Sequence, residues 1–332
     1  MKIERRAIVG SDDVRTVSTF VGDIKKLSSE EEGPLRVTLK YEGIHKNQDT
    51  GELLVPFIIR MTIGLGSKKI GFLHTFLYDG VEDRDYVKGI GLSFSAPLEG
   101  ELYNRHFKFL GDAGAFHESV ANLLTWRPKI PEDIYAAQCR GERVGASGEV
   151  LRDIRQVLTA MPFWDAYTVC QDHPTHFGVC KKLALPDVCW LDCLDGKHAQ
   201  GAVSIGGENG NLQFSIRDFS KRYPSGYDVS GLTTHESKIN VWFYCPEAEA
   251  YDFRHYADRG YNQVYYEGYD FKGASAYGIA CTSECVVRLG TALIAADGDL
   301  EAFCREVDKP PIFVGAPEYY HEHRAFGYWS LP

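Results

Sequence analysis

Period-two alternation of apolar and polar residues is the feature that most constrains this chain. Residues 35–41 (LRVTLKY) alternate in this way, and a turn-forming segment at 47–51 (NQDTG) separates them from an apolar run at 53–63. Similar runs follow at 69–78, 87–96 and 101–110. Successive side chains of a strand point to opposite faces, so a half-buried strand shows this period. Short alternating runs joined by turns predict an antiparallel meander, which is typical of sandwiches and barrels.

The rest of the chain continues the β pattern with few helical interruptions. Strand-like runs recur at 167–170, 177–183, 188–191, 199–205, 212–219, 239–244, 276–282 and 285–289. Residues 149–161 fit either a helix or a strand pair, residues 116–126 fit one short helix, and residues 299–307 (DLEAFCREV) are the clearest helical segment.

We therefore predict an all-β fold, a large antiparallel β-sandwich with few short helices. The sandwich is expected over residues 1–296, as one extended unit or as two β-halves meeting near residues 115–165. Residues 297–332 are expected to form a short helix followed by a Pro-rich linker or surface strap, since Pro310, Pro311 and Pro317 cannot continue a regular element.

Charge and composition narrow the classes of function. The net charge of −10 argues against a nucleic-acid partner, because phosphate contacts need clustered Lys and Arg. No apolar run of about 18 residues indicates a membrane helix, and no apolar segment follows the charged start MKIERRA, as it would in a signal peptide. The nine cysteines are an odd number in a long chain, which favours free thiols over a disulfide scaffold. As written, the chain looks cytoplasmic, and its compartment stays open.

Residues 211–269 concentrate the side chains that are suited to a ligand. The candidates for substrate contact are Arg217, Arg222, Tyr223 and His235, together with the earlier pair Arg105 and His106. The same stretch holds the triplet Arg254-His255-Tyr256 and many further tyrosines. Aromatic rings stack on the C–H faces of sugars, and Arg binds carboxylates in two-point contacts. This mixture favours a carbohydrate-binding cleft whose partner is a polysaccharide or an oligosaccharide.

Strand geometry predicts different orientations for these candidate residues. On a strand, Arg254 and Tyr256 share one face while His255 points away. Arg222 follows a strand end, which is a better place for ligand contact than the position of Arg217 within the strand. A structural ion pair between Arg217 and Asp218 is the alternative interpretation for that position.

Further histidines and aromatic residues have structural interpretations. His74 lies among apolar neighbours and is expected to be a satisfied core histidine. His235 is expected to be solvated in a loop, and Trp242 and Tyr244 are expected to be core residues of a strand. The tyrosines at 261–269 are harder to explain as core.

Several segments together resemble a known family. They are GPLRVTLKYEGIH (33–45), FIIRMTIGLGSKKIGFLHTFLYDG (57–80), RDYVKGIGLSFSAPL (84–98), FSIRDFSKRYPSGYDV (214–229), INVWFYCPEAEAYDFRHY (239–256), YGIACTSE (277–284) and PEYYHEHRAFGYWSLP (317–332). This pattern is similar to the central β-sandwich part of the exo-rhamnogalacturonan lyases, polysaccharide lyase family 26, and their YetA-like relatives. The resemblance implies a three-part protein in which an N-terminal β domain and a C-terminal α/α toroid flank the sandwich. We expect both neighbours to be absent from this chain, and the family includes secreted members.

The resemblance implies a β-elimination that cleaves rhamnogalacturonan, the backbone of one type of pectin. Such a reaction needs a group that neutralises the uronate carboxylate, a base that removes the C5 proton and an acid for the leaving oxygen. Arg254, His255 and Tyr256 are the candidate catalytic residues. Two alternatives remain: a non-catalytic carbohydrate-binding or structural sandwich, in effect a truncated lyase, and a sugar enzyme similar to the mutarotases.

Metal and cofactor signals are weak. The pairs Cys189/Cys193 and Cys281/Cys285 lie in apolar or β-type runs, which favours packing over a zinc site. His321 and His323 would share a face of an extended strap and are a minor alternative. We predict no cofactor and no metal site, and no motif indicates calcium.

Overall fold

The structure is a computed structural model that describes residues 1–9, 12–124, 126–256, 275–312, 314–325 and 327, without the side chains of residues 8, 9, 12, 13 and 255. The strands are β1 (Lys2–Val9), β2 (Asp12–Glu32), β3 (Arg36–Asn47), β4 (Leu53–Gly64), β5 (Lys69–Leu77), β6 (Asp85–Pro97), β7 (His106–Leu110), β8 (Ala115–Ser119), β9 (Trp164–His173), β10 (His176–Leu183), β11 (Leu191–Gly196), β12 (Ala202–Gly207), β13 (Gly210–Ile216), β14 (Ser225–Ser230), β15 (Glu236–Tyr244) and β16 (Ala280–Gly290). Helices span Glu132–Cys139, Gly148–Leu158, Asp297–Asp308 and Pro317–Glu322, and 3₁₀ turns occupy Leu102–Asn104 and Arg254–Tyr256.

The strands form one continuous antiparallel ribbon that is folded into two sheets. Their order is β11-β10-β9-β14-β15-β6-β1-β2-β3-β4-β5-β16-β13-β12-β7-β8. The strands from β11 to β6 form the first sheet, and those from β2 to β8 form the second. β1 links them, because it pairs with β6 on one side and with β2 on the other. The predicted all-β class, a large antiparallel sandwich with few short helices, is confirmed.

The main core lies between the inner faces of the two sheets. On β15, Ile239, Val241 and Phe243 alternate toward it, as strand geometry requires. Phe107 of the second sheet stacks on Tyr167 of the first, with ring centroids 4.1 Å apart. Burying each such apolar side chain stabilises the fold by about 1.5–3 kcal/mol. This layer holds the two sheets together. Side chains outside it are the ones that can line cavities.

Three local predictions are wrong. Residues 115–119 form β8 rather than part of a helix, because Phe116 pairs in register with Phe109 of β7. β13 ends at Ile216, and the next residues form a turn in which Asp218 has φ +56°. The triplet 254–256 lies in a 3₁₀ turn and not on a strand, so alternation of faces does not apply to it.

The helices pack outside the main core. The ambiguous segment 149–161 is helical over Gly148–Leu158, which buries Ile154 and Val157 in a satellite cluster. The predicted helix near the end spans Asp297–Asp308 and buries Leu300 and Phe303 against β7 and β12. Helix Pro317–Glu322 buries no residue. In the described ranges, none of the helices has the length and apolar character needed to span a bilayer.

Candidate functional site

A cavity of about 320 Å³ opens at one end of the sandwich, beside the junction of the two sheets. We call it the aromatic pocket. β5, β6, β15 and β16 supply its strand walls, and the segments 222–223 and 251–256 supply its rim. Its lining residues are Phe76, Val87, Ile90, Arg222, Tyr223, Phe243, Tyr244, Tyr251, Phe253, Tyr256, Ile279, Ala280, Cys281 and Ser283. Three residues predicted from the sequence, Arg222, Tyr223 and Tyr256, therefore meet in one cavity.

An aromatic cluster forms the inner wall of the aromatic pocket. Phe253 stacks on Tyr78 at 4.2 Å and meets Tyr251 edge-on at 4.5 Å, and Tyr251 meets Tyr244 edge-on at 5.5 Å. Tyr251 is held in place because its backbone exchanges two hydrogen bonds with Val87 of β6, at 2.8 and 3.2 Å. Edge-on and stacked ring pairs contribute beyond their buried area. The wall is thus a rigid apolar surface with tyrosine hydroxyl groups.

Arg222 lies at the mouth of the pocket, on the turn that follows β13. The backbone carbonyl of Asp218 accepts hydrogen bonds from the N–H groups of Lys221 and Arg222, both at 2.9 Å, which fixes the turn. The side chain is exposed, and its Nη2 donates to the Thr282 carbonyl at 2.6 Å. Among the described residues, no carboxylate pairs with Arg222, and Nε and Nη1 make no hydrogen bond. The guanidinium is therefore positioned and keeps two nitrogens for a ligand.

Tyr223 adjoins Arg222 and is 47% exposed. An exposed tyrosine beside an uncompensated guanidinium offers a flat apolar face and a cation on the same rim. Sugar acids present the matching pair of features, a C–H face and a carboxylate.

The candidate catalytic triplet is divided by the structure. Tyr256 lines the aromatic pocket, and its ring lies 6.2 Å from that of Phe253. Arg254 is exposed and binds the Asp252 carboxylate at 2.5–3.0 Å, and this hydrogen bonding raises its pKa. The side chain of His255 lies outside the described residues. The Arg254 guanidinium is therefore already paired with a carboxylate, whereas Arg222 has no carboxylate partner among the described residues.

The other four candidate contacts lie away from the aromatic pocket. Arg217 pairs with Glu284 at 2.9 Å, not with Asp218 as the alternative interpretation expected. Arg105 is buried, and its Nη1 donates to the carbonyls of Leu232, at 3.0 Å, and of Thr234. These contacts indicate structural roles for both arginines.

The two remaining candidates are histidines. His106 is fully buried and its Nδ1 lies 3.1 Å from His117 Nε2. His235 is exposed next to β15, as predicted. The structure therefore places neither ring at the aromatic pocket.

Tyr244 and Tyr251, two tyrosines of the aromatic pocket, remain protonated at neutral pH. Burial raises the pKa of Tyr244, and burial with a hydrogen bond to Tyr256 raises that of Tyr251. Their hydroxyls are therefore hydrogen-bond donors rather than bases. The described part of the lining contains neither histidine nor carboxylate. This chemistry suits recognition of a ligand better than removal of a carbon-bound proton.

A second cavity holds a pair of carboxylates. Asp308 Oδ1 accepts a hydrogen bond from the backbone N–H of Asp218 at 2.8 Å, and burial raises the pKa of Asp308. Lys221 binds Asp218 at 2.7 Å. These contacts join the turn to helix Asp297–Asp308, so we interpret the pair as structural.

The described residues contain no group of three or more potential metal ligands. All nine cysteines are free thiols. In particular, the two cysteine pairs that were weighed as zinc ligands form no such group, and Cys281 instead lies 3.6 Å from Arg222 Nη2 in the aromatic pocket.

Local sequence patterns reveal only part of this pocket. Tyr244 and Tyr251 are within the aromatic-rich stretch, but Phe76 and Cys281 come from β5 and β16, which pair directly with each other. Their proximity to Arg222 depends on how the ribbon folds, and no local pattern encodes that.

Fold and pocket together define an antiparallel β-sandwich domain with an aromatic cavity at one end. The model of the family described as "PcRGLX-like protein central beta sandwich domain" matches residues 2–302. The chain is also 33% identical to the YetA protein of Bacillus subtilis (strain 168). The 311 aligned residues cover 94% of this chain and 36% of YetA. The chain therefore belongs to the PcRGLX-like central β-sandwich family. It spans about a third of the length of that curated relative.

Solved structures with some likeness to the chain include two sugar-related enzymes. The α-galactosidase AgaB of Geobacillus stearothermophilus is 8% identical with a TM-score of 0.37, over 87% of this chain and 30% of that one. A putative aldose 1-epimerase of Escherichia coli K12 is 11% identical with a TM-score of 0.32, over 86% of this chain and 78% of that one.

Proposed function

We propose that this β-sandwich domain binds an acidic polysaccharide through the aromatic pocket. The observation that carries the proposal is the Arg222 guanidinium, which is held at the rim by the Thr282 carbonyl and has no carboxylate partner among the described residues. A uronate carboxylate would take the hydrogen bonds that Nε and Nη1 can donate. The family resemblance makes rhamnogalacturonan the expected polymer.

Tyr223 and Tyr256 complete the proposed contact. The exposed ring of Tyr223 would stack on one face of a pyranose while Arg222 binds its carboxylate. Tyr256 would donate a hydrogen bond from deeper in the pocket. The volume of about 320 Å³ suits one sugar residue and part of a second.

Local charge matters for this ligand because the chain carries a net charge of −10. An acidic polymer is repelled at long range, so binding depends at short range on Arg222, the one cation in the described lining of the aromatic pocket. Screening by salt weakens both the repulsion and the attraction of an exposed pair.

A contribution to β-elimination is the second candidate function. An arginine that holds the uronate carboxylate makes the neighbouring C5 proton more acidic, which such a reaction requires. The described lining supplies no base, so we infer that a complete site would need groups beyond it. In this proposal the domain alone binds its polymer and cleaves it slowly or not at all.

Calorimetry with rhamnogalacturonan oligosaccharides tests the binding proposal. We expect saturable binding to the unmodified chain and a loss of about 10- to 150-fold for Arg222→Gln, because a hydrogen bond to a charged group contributes about 1.5–3 kcal/mol. Arg36→Gln is the matched control, since Arg36 is an exposed arginine that pairs with Glu31. Equal affinity of Arg222→Gln and the unmodified chain would contradict the proposal.

Ultraviolet absorbance of the new C4–C5 double bond tests the second candidate in the same samples. Growth of absorbance that Arg222→Gln removes supports a lyase role for the pocket. Binding without any absorbance change supports the binding module alone.

A further inference from the structure

The second half of β2 has a neighbouring strand on one side and none described on the other. β1 pairs with residues 12–19 of β2, and Met1 exchanges backbone hydrogen bonds with Phe20. Over residues 21–32, β2 pairs with β3 and with no other described strand. Alternate N–H and C=O groups of such a strand point away from its one neighbour, so they can pair with a further strand. We call residues 21–32 the open edge.

Two β-bulges twist the open edge and disfavour unspecific pairing. The register with β3 shifts at Lys25 and again at Glu30, which are the extra residues. Bulges and lysines are common means by which a sheet protects an edge strand. A strand that binds here must therefore match both the twist and the charges of the open edge. A second copy meets the first condition, because it carries the same bulges at equivalent positions.

The charges of the open edge are arranged so that the strand complements itself. It reads VGDIKKLSSEEE, with two lysines before the two serines and three glutamates after them. In an antiparallel pair of copies centred at Ser28, Lys26 lies opposite Glu30 of the second copy, and Lys25 lies opposite Glu31. Opposite charges across from each other stabilise a strand pair, and like charges destabilise it. The pattern therefore favours antiparallel self-pairing, since a parallel copy in register would place lysines beside lysines.

These charged side chains are accessible to a second copy. Lys25 and Lys26 are both more than half exposed, and Lys26 reaches a glutamate of β3 only at 3.7 Å. Glu30 and Glu31 bind arginines of β4 and β3 at 2.5 and 2.8 Å, which orders their carboxylates along the strand. Both carboxylates are still partly exposed, and a carboxylate accepts several hydrogen bonds. A lysine of the second copy can therefore bind them from the open side.

Apolar side chains add contact area on one face of the open edge. Ile24 and Leu27 are large aliphatic residues, yet they are 55% and 58% exposed. Their partners on β3, Gly43 and Tyr41, are two residues apart, so both pairs lie on the same face of the sheet. The two-fold axis of an antiparallel strand pair is perpendicular to the sheet, so this face continues into the second copy. The aliphatic side chains of the two copies then meet, and their burial stabilises the pair.

We propose that the open edge pairs antiparallel with the open edge of a second copy, so that two sandwiches share one continuous sheet. Backbone hydrogen bonds join the two strands, the lysines and glutamates set the register, and Ile24 and Leu27 are covered on one face. No residue of the open edge lines the aromatic pocket. The pairing is therefore independent of the acidic-sugar proposal, and the two can fail separately.

Sedimentation velocity of the full chain at rising protein concentration tests the proposal. We expect a reversible monomer–dimer equilibrium that weakens as NaCl is raised, because salt screens exposed ion pairs. Lys25→Glu/Lys26→Glu should weaken the dimer by at least about tenfold, and so should Glu30→Lys/Glu31→Lys, since each places like charges opposite one another. An equimolar mixture of the two variants should restore the dimer, because glutamates of one chain then lie opposite lysines of the other.

Leu27→Lys is a second test that leaves the ion pairs within the chain in place. Leu27 is exposed, so we expect the variant to fold normally, and the new cation beside the two-fold axis should abolish the dimer. Leu65→Lys, in the exposed β4–β5 turn, is the matched control and should leave the dimer unchanged.

Four results would overturn the proposal. They are a monomer at every concentration tested, a dimer that resists the charge reversals or Leu27→Lys, a variant mixture that stays monomeric, and a different protein that binds this edge while the chain itself stays monomeric. Circular dichroism of each variant shows whether a lost dimer reflects a lost fold.

Discussion

The aromatic pocket is one of two cavities of the sandwich that present polar groups in opposite ways. The other, of about 530 Å³, is lined in part by His45, Phe57 and His74, and we call it the histidine cleft. Arg222 is a charge on an exposed turn, and only its Nη2 is held, chiefly by the Thr282 carbonyl. His45 and His74 are neutral rings on β3 and β5, the two strands that flank β4, and they are only 4% and 2% exposed. A loop can present a charge at low cost because water still solvates it. A buried strand presents a charged group only where a partner compensates it, as Asp297 does for Lys108 of β7. The two regions therefore differ in how far water solvates their polar groups.

Acid should have the largest effect, and it should act on the cleft rather than on the aromatic pocket. The unfolded chain binds protons at histidine near pH 6.5, whereas burial lowers the pKa of His45 to about 4 and of His74 to about 3. Their contribution is complete above pH 6.5 and is lost as the pH falls through the window down to about 4. Each ring should cost roughly 3 kcal/mol of unfolding free energy by that point. Urea titrations between pH 4 and pH 8 measure the slope.

The control for this slope is the double variant His45→Phe/His74→Phe. His106 and His117 also have lowered pKa values, caused by burial, so the double variant should remove about half of the histidine contribution. His173→Phe, in the exposed β9–β10 turn, is the matched control variant. A slope that the double variant does not alter would show that the cleft rings titrate normally.

Truncation of one aromatic side chain in each region should give unequal losses of stability. Phe57, 3% exposed, forms the floor of the histidine cleft, and Phe57→Ala should cost about 3–5 kcal/mol. Tyr223, 47% exposed, stands at the rim of the aromatic pocket, and Tyr223→Ala should change stability by less than about 0.5 kcal/mol. Denaturant midpoints measure both. Similar losses for the two variants would contradict the contrast between a buried floor and a solvated rim.

Salt should give the smallest effect. Raising NaCl from about 0.05 to about 0.5 M should weaken acidic-sugar binding at Arg222 by about 2- to 5-fold, because an exposed ion pair contributes only about 0.2–1 kcal/mol net. The binding that Arg222→Gln retains should depend less on salt. Equal salt dependence of the unmodified chain and of Arg222→Gln would show that the attraction does not come from Arg222.

Much of the fold is predictable from the sequence, because period-two alternation is a local property. The alternating run at 35–41 lies in β3, and the helical pattern at 299–307 lies in Asp297–Asp308. Which side chains come close together in space, however, depends on residues far apart in the sequence. His74 is buried as predicted, but its place beside a cavity depends on where β6 and β2 diverge, far away in the chain.

The candidate site is predictable to a smaller extent for the same reason. Arg222 and Tyr223 could be preferred over Arg217 because they follow a strand end. The Glu284 partner of Arg217 comes from β16, which no spacing in the sequence connects to it. The register shift that places Val55 opposite His45 likewise has no local signature.

The most direct test of the account is a thermodynamic cycle at Arg222. Calorimetry would compare a rhamnogalacturonan oligosaccharide with its uronate methyl ester, on the unmodified chain and on Arg222→Gln. If Arg222 binds the carboxylate, either change alone weakens binding by about 10- to 150-fold and the second change adds little. Fully additive losses, or equal affinity for acid and ester on the unmodified chain, would contradict carboxylate recognition by the aromatic pocket.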